Sequence, residues 1–361
     1  MKQIEAYRER ERAERLLHII RNEATGHYTF MEVCGGHTNA IREFGIHGLL
    51  PGNIRLISGP GCPVCVTSRS FIDHAVALAG MHDHIIASFG DLLRVPGNHG
   101  TLDKARASGS AVTMVYSVNE AIALAEKNRN KKVIFLAMGF ETTIPGNASG
   151  VLEAGRRNLG NFFMLSSQKV MPPAMKAVVE GGTRVNGFIC PGHVGAVTGS
   201  RIFEFLPGQY GLGCVVSGFE PVDILLSVLM LVRQVNSSAP VVEVEYTRAV
   251  SREGNTKAVR IMEQVFELED DWWRGFGIIP ASGMQLNKKY GAFDARKLMA
   301  FSSEESEEEG ACICGDILRG VSTPGMCPLF GTGCTPSDPA GACMVSAEGA
   351  CYAYYKFRDH G

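Results

Sequence analysis

Short apolar stretches alternate with helical stretches along most of this chain, and this alternation restricts the fold more than any other feature. The helical stretches span roughly ten to fifteen residues, which is typical of βαβ units with parallel strands. The run Val133–Ala137 is apolar at every position, as expected for a strand that is covered on both faces. The sequence therefore predicts an α/β fold built on parallel sheets.

The pattern divides the chain into three predicted regions. Residues 1–125 form a first α/β domain with an N-terminal helix, and residues 126–238 form a second domain of similar plan. Residues 239–361 form a C-terminal domain with a cysteine-rich tail. An acidic run from Glu304 to Glu309 predicts a solvated linker before that tail. A chain of 361 residues accommodates about two or three domains.

Composition excludes several classes of partner and predicts the compartment. The formal net charge is −2 and basic residues are scattered, so we expect neither nucleic acid nor an anionic membrane as a partner. The sequence contains no G-x-x-x-x-G-K-[ST] loop for nucleotide phosphates. The charged N-terminus lacks the apolar core of a signal peptide. Eleven cysteines in such a chain indicate metal or thiol chemistry in a reducing cytoplasm.

The stretch Gly59–Cys65 joins a strand to a helix and carries two cysteines. Pro63 fits the first helical position, which places Cys62 and Cys65 on one face of the first turn. The positive end of the helix dipole lowers the pKa of a thiol there. The spacing predicts a reactive dithiol or a pair of metal ligands, and the alternative is two buried cysteines at a tight turn. We expect the pair to be able to form a disulfide, with Cα atoms within about 7 Å.

Cys34 ends another predicted strand and is followed by two glycines and a helix that begins near Thr38. Ligands of open α/β sheets bind at such strand ends. We expect an accessible thiol whose thiolate form is favoured by the helix dipole. His37 either orients a ligand near Cys34 or caps the helix.

Other predicted strands also end in polar residues. Glu141, Thr142 and Thr143 follow the strand 133–137, and His193 follows a strand and a Pro-Gly turn. These residues are candidate ligand-binding groups. The alternatives are a helix-capping threonine and an ordinary loop histidine.

Six cysteines lie within the last fifty residues, among many glycines and prolines. They are Cys312, Cys314, Cys327, Cys334, Cys343 and Cys351. Such a tract indicates metal binding. Four thiolates suit either a [4Fe–4S] cluster or tetrahedral zinc, and the spacing does not separate the two.

Several motifs resemble those of the HypD family of [NiFe]-hydrogenase maturation proteins. The resemblance runs from about Met31 to Tyr355. It rests on the segments Met31–Thr38, Gly59–Cys65, Phe89–Asp91, Arg94–Gly97, Gly139–Thr143, Pro191–Val194 and Ser217–Pro221, and on the cysteines of the tail.

This resemblance implies a metallocofactor assembly scaffold with redox activity. It implies an iron that carries cyanide and carbon monoxide, associated with Cys34, Cys62 and Cys65. For such an iron, we expect Glu141, Thr142 and Thr143 at the strand end either to hydrogen-bond the cyanide nitrogens or to dock the partner. The implied partners are a small HypC-type chaperone, a HypE-type cyanide donor and the hydrogenase large-subunit precursor.

The family pattern also implies one [4Fe–4S] cluster. It assigns the cluster to Cys314, Cys327, Cys334 and Cys351, with Cys312 and Cys343 as extras. Two other functions compete with the scaffold. One is a cluster-dependent thiol–disulfide oxidoreductase, in which Cys62 and Cys65 form the exchanged disulfide. The other is a zinc-binding interaction module.

Overall fold

A computed structural model describes residues 2–301 and 311–358. The acidic run at 304–309, expected to be a linker, lies outside these residues. The strands of the described residues are β1 (Tyr28–Glu32), β2 (Ile54–Ser58), β3 (His84–Ser88), β4 (Val112–Met114), β5 (Lys132–Gly139), β6 (Phe162–Lys169), β7 (Gly187–Pro191), β8 (Gly213–Ser217), β9 (Val242–Val244), β10 (Phe266–Trp273) and β11 (Gly277–Leu286). The helices are α1 (Lys2–Glu23), α2 (Gly35–Glu43), α3 (Ile46–Leu49), α4 (Pro63–Val66), α5 (Arg69–Ala79), α6 (Leu102–Ala107), α7 (Val118–Lys127), α8 (Ile144–Arg156), α9 (Met171–Glu180), α10 (Gly192–Thr198), α11 (Pro221–Ser237), α12 (Thr256–Val265), α13 (Cys314–Leu318), α14 (Ala342–Val345) and α15 (Ala350–Lys356).

The strands form two sheets, and most neighbouring strands are parallel as predicted. Sheet A has the order β2-β1-β7-β8-β9 and is parallel throughout. Sheet B has the order β10-β11-β6-β5-β3-β4. The chain leaves sheet A after β2 and returns to it at β7, so each sheet takes strands from both sides of residue 125. The predicted ranges 1–125 and 126–238 therefore do not each correspond to one sheet.

One edge of sheet B is antiparallel, which the sequence analysis did not predict. Strand β10 pairs with β11, and β11 with β6, in antiparallel register. Only residues 274–276 separate β10 from β11, and a parallel pair would need a crossover of about a dozen residues. The sequence analysis did not identify β10 as a strand, because its many acidic residues interrupt the apolar pattern typical of strands.

Three apolar clusters hold the layers together. The largest contains residues of both sheets, such as Met31 and Ile134, with residues of α4 and α14. The outer face of sheet A packs against α1 and α11, and Leu17 and Ile20 of α1 are buried there. The outer face of sheet B packs against α7, α8 and α12. Each fully buried aliphatic side chain stabilises the fold by about 1.5–3 kcal/mol.

The helix predicted after the Cys62–Cys65 turn is divided in two. Helix α4 ends at Val66, and α5 begins at Arg69. The break occurs because the Ser68 hydroxyl accepts a hydrogen bond from the Phe71 amide at 3.0 Å and caps a new helix. No helix among residues 2–301 and 311–358 is long and apolar enough to cross a bilayer.

Candidate functional site

The centre of the site is the topological switch point of sheet A. The chain passes from β1 to β2 on one side, while β7 and β8 lie on the other side. Cys34 follows β1 and His193 follows β7, and the Cys34 Sγ and His193 Nε2 atoms are 3.8 Å apart. The predicted location of Cys34 at a strand end is therefore confirmed. Ligands of open α/β sheets bind at such points.

Cys34 is less accessible than the sequence analysis predicted. Its side chain is only 4% exposed. Burial raises the pKa of the Cys34 thiol to about 12, and the neighbouring Glu348 carboxylate adds to this effect. The prediction of an exposed, dipole-stabilised thiolate is therefore wrong, because desolvation outweighs the helix dipole here. A Cβ on Gly35 would lie 2.9 Å from the Glu348 carbonyl carbon, so the glycine accommodates the C-terminal tail.

Cys62 and Cys65 form a disulfide, with their Cα atoms 5.2 Å apart. The prediction that this pair can be bridged is confirmed. Cys62 caps α4, and its Sγ accepts a hydrogen bond from the Cys65 amide at 3.2 Å. The Gly35 amide donates to the Gly61 carbonyl at 3.1 Å, which holds the Cys34 turn against the Cys62–Cys65 turn. The three cysteines therefore belong to two adjoining loops.

Two histidines share an aromatic partner beside Cys34. His37 and His193 both stack on Phe219, with ring centroids 4.6 and 5.0 Å away. The Nε2 atom of His37 donates to the Gly218 carbonyl at 2.8 Å, so His37 does not cap the helix. Its Nδ1 atom is buried without a hydrogen-bond partner among the described residues. Burial lowers the pKa of His37 to about 4 and also lowers that of His193, so both rings are neutral near pH 7.

Glu141 and Thr142 lie in the turn between β5 and α8, at the strand ends of sheet B. The Glu141 Oε1 atom accepts a hydrogen bond from the Met171 amide at 2.8 Å, and its Oε2 atom is buried without a described partner. Burial raises the pKa of Glu141 to about 7. Thr142 is half-buried. Helix α4 packs against β5, which places the Cys62–Cys65 turn between the two sheets.

The six tail cysteines converge, as their clustering in the sequence suggests. All six line one cavity, together with apolar groups that include Ile317, Phe330 and Met344. The Sγ atoms of Cys314 and Cys343 are 2.8 Å apart. Both residues are buried, whereas Cys312 and Cys327 are half-buried.

Soft thiols in an apolar surrounding fit the chemistry of an iron–sulfur cluster. Within residues 2–301 and 311–358, no three His, Cys, Asp or Glu side chains are already arranged around a metal position. The thiols instead contact one another, and cluster binding requires them to rotate and lose their protons. The set of six thiols fits a cluster, which takes four of them as ligands.

The contacts of the tail with both sheets were not predicted. Arg94 donates hydrogen bonds to the Pro336 and Val345 carbonyls at 3.1 and 3.3 Å. The Ser346 hydroxyl donates to Asp91 at 3.2 Å. Helix α15 packs on α2, and α14 packs on α4. The polar residues after β3 thus anchor the tail, and the tail covers Cys34 and adjoins the disulfide.

Two further cysteines and both tryptophans lie outside the site. Cys190 and Cys214 are fully buried in β7 and β8, as is usual for unpaired core cysteines. Trp273 is also fully buried, which agrees with a packing role. Trp272 is half-buried and lines a separate cavity.

Comparison with known proteins places this architecture in a family. The HypD family model, described as "Hydrogenase formation hypA family", matches residues 11–358. The chain is 45% identical to the hydrogenase maturation factor HypD2 of Bradyrhizobium diazoefficiens, over 100% of this chain and 98% of that protein. It is 43% identical to the hydrogenase maturation factor HypD of Cupriavidus necator, over 99% and 98%. It is also 43% identical to a putative hydrogenase expression/formation protein of Methanocaldococcus jannaschii, over 91% of each chain. The chain therefore belongs to the HypD family of hydrogenase maturation factors.

Proposed function

We propose that this hydrogenase maturation factor is the scaffold on which the Fe(CN)2CO group of [NiFe]-hydrogenase is assembled. The iron is the cargo, held at Cys34 beside Cys62 and Cys65 and shared with a small HypC-type partner. A HypE-type protein supplies cyanide, and the finished group passes to the hydrogenase large-subunit precursor.

The observation that carries this proposal is the position of Cys34 at the switch point of sheet A, beside two neutral histidines and against the loop of the Cys62–Cys65 disulfide. Thiolates are soft ligands that suit low-valent iron. A buried Cys34 stays protonated and unreactive until a metal ion displaces its proton. The His193 Nε2 atom, 3.8 Å from the sulfur, is placed to accept that proton.

We further propose that the tail holds a [4Fe–4S] cluster, which would supply single electrons when bound. The family pattern assigns Cys314, Cys327, Cys334 and Cys351 as ligands. All four line the cavity together with Cys312 and Cys343, and Cys343 contacts Cys314 at 2.8 Å and is also hydrogen-bonded to Cys351.

Infrared spectroscopy of the protein purified anaerobically with its partners tests the scaffold. Bands of metal-bound cyanide and carbon monoxide are expected. Their absence from a preparation that still supports hydrogenase maturation would contradict the proposal.

A second function, cluster-dependent thiol–disulfide exchange, is favoured by the packing of α14, which carries Cys343, on α4, which carries Cys65. Two electrons and two protons would convert the disulfide into two thiols. The test compares alkylation of Cys62 and Cys65 after anaerobic reduction in the wild type and in Cys351→Ala. Equal alkylation in the two proteins would exclude a role for the cluster.

A further inference from the structure

A cavity of about 680 Å³ lies between the start of α5 and the hairpin of β10 and β11. It is separate from the cysteine-lined cavity, and its volume lies within the usual range for ligand pockets, about 300–1,000 Å³. Ser68 lines this cavity and follows the Cys62–Cys65 turn by three residues. No function proposed above uses this cavity.

Three consecutive carboxylates, Glu269, Asp270 and Asp271, line one wall of the cavity. Arg296 neutralises Glu269 at 3.0 Å, and Lys169 forms an ion pair with Asp271. The Asp270 Oδ1 atom accepts a hydrogen bond from the Ala281 amide at 2.9 Å. Asp270 forms no ion pair within the part of the chain that the structure describes. Asp270 is therefore the carboxylate that is left to attract a cation.

The backbone at Asp270 departs from regular sheet structure. The register of β10 against β11 shifts between Glu269 and Asp271, and such irregularities re-aim a side chain. The opposing Ala281, which bonds to Asp270, has a φ of 50°, in the left-handed region that alanine seldom adopts. The register shift in β10 and the left-handed backbone of Ala281 in β11 together fix the position of Asp270 in the hairpin.

A buried imidazole supplies the second polar group of the cavity. His74 is 7% exposed, and its Nε2 atom has no hydrogen-bond partner among the described residues. The Phe301 ring stacks on it at 4.5 Å and fixes its orientation. Burial lowers the pKa of His74, so the ring is neutral and offers one acceptor nitrogen.

The rim of the cavity is apolar and extends to the protein surface. Ile278 is 71% exposed and pairs across the hairpin with Trp272. An indole ring near carboxylates is a favourable site for an ammonium or guanidinium group. An exposed isoleucine beside it favours a ligand that carries an apolar group next to its cation.

We propose that this cavity binds an arginine or lysine side chain on a segment of a partner protein. The cation lies against Asp270, the His74 ring and Trp272, and an apolar neighbour in the same segment covers Ile278. Asp270, the one of the three lining carboxylates that has no ion pair within the described part of the chain, supplies the charge complementarity. This inference goes beyond the proposed scaffold function and does not depend on it.

Fluorescence titration of the full chain tests the proposal, because the chain has two tryptophans and Trp273 is buried. The probes are acetyl-Leu-Arg-amide and the uncharged isostere acetyl-Leu-citrulline-amide. We expect a saturable change with the arginine peptide and at least tenfold weaker binding of the citrulline peptide, since a charge-assisted hydrogen bond is lost. Asp270→Asn should weaken binding of the arginine peptide about tenfold, and Ile278→Ser should weaken it severalfold. Glu263→Gln, which removes an exposed charge from α12, is the matched control and should bind normally.

Four results would overturn the proposal. The first is the absence of saturable binding up to about 10 mM peptide, far above the dissociation constant of a weak site. The second is equal affinity for the two peptides, and the third is an Asp270→Asn protein that binds the arginine peptide like the control. The fourth is equally tight binding of arginine amide without the leucine, which would identify a site for small cations instead of a partner segment. Asp270 and Ile278 are exposed, so these variants are expected to fold.

Discussion

Glu141→Gln should change the pH dependence of stability in a direction that the structure determines. Burial raises the pKa of Glu141 from 4.5 to about 7 in the folded chain. Between these values the folded state binds a proton that the unfolded state has lost. The free energy of unfolding therefore falls as pH rises from about 4.5 to about 7, and the loss is complete above that range.

The size of this effect follows from the two pKa values. A tenfold difference in proton affinity corresponds to about 1.4 kcal/mol, so a rise from 4.5 to about 7 corresponds to about 3 kcal/mol. Glutamine has nearly the same shape, and its Oε1 atom can still accept the Met171 amide. The glutamine side chain carries no charge at any of these pH values. The free energy of unfolding of the variant should therefore not fall as the pH rises from about 4.5 to about 7.

Urea unfolding of both proteins between pH 4.5 and pH 8 measures this difference. We expect Glu141→Gln to gain about 3 kcal/mol relative to the wild type as pH rises to about 7, and no more above it. Glu263→Gln controls for the change in net charge. A difference between Glu141→Gln and the wild type that stays constant with pH would show that burial does not govern the ionisation of Glu141.

Three further predictions concern the cysteines and the tail. Cys34→Ser should keep the fold and the tail cluster but lose the infrared bands of metal-bound cyanide and hydrogenase maturation, with Cys214→Ser as a control for a buried cysteine outside the site; normal maturation by Cys34→Ser would refute its role. Cys314→Ala should abolish the visible absorption of the cluster and Cys343→Ala should retain most of it, because the family pattern makes Cys314 a ligand and Cys343 an extra; a full cluster in Cys314→Ala would refute this assignment. Arg94→Ala should lower the opening free energy of residues 336–345 by about 1–2 kcal/mol, measured by hydrogen exchange, because two hydrogen bonds are lost. Arg106→Ala, an exposed change on α6, is the control for Arg94→Ala, and equal exchange in these two variants would contradict the anchoring role.

Local features of the sequence were sufficient to predict much of the site. Strand-ending residues such as Cys34 and His193 were correctly placed, because the carboxyl ends of parallel strands meet at one edge of a sheet. The disulfide between Cys62 and Cys65 was also predicted, since a three-residue spacing at a helix start sets the distance between the two Cα atoms.

Interactions between distant segments escaped prediction. The alternation of strands and helices indicated parallel sheets, but it did not show that the chain leaves sheet A and returns to it after four strands of sheet B. The antiparallel edge was missed because the acidic residues of β10 obscured its strand pattern.

The sequence by itself determined which chemical groups stand at the strand ends and in the tail, because these depend on neighbours within a few residues. The tertiary structure alone decided the protonation state of these groups and which of them lie in contact with one another. Cys34 is buried because Glu348, more than three hundred residues later, packs on its turn. The tail reaches that position through contacts such as Ser346 with Asp91, which are 255 residues apart. Desolvation depends on every segment that covers a group, so the pKa of Cys34 could be read only from the folded chain.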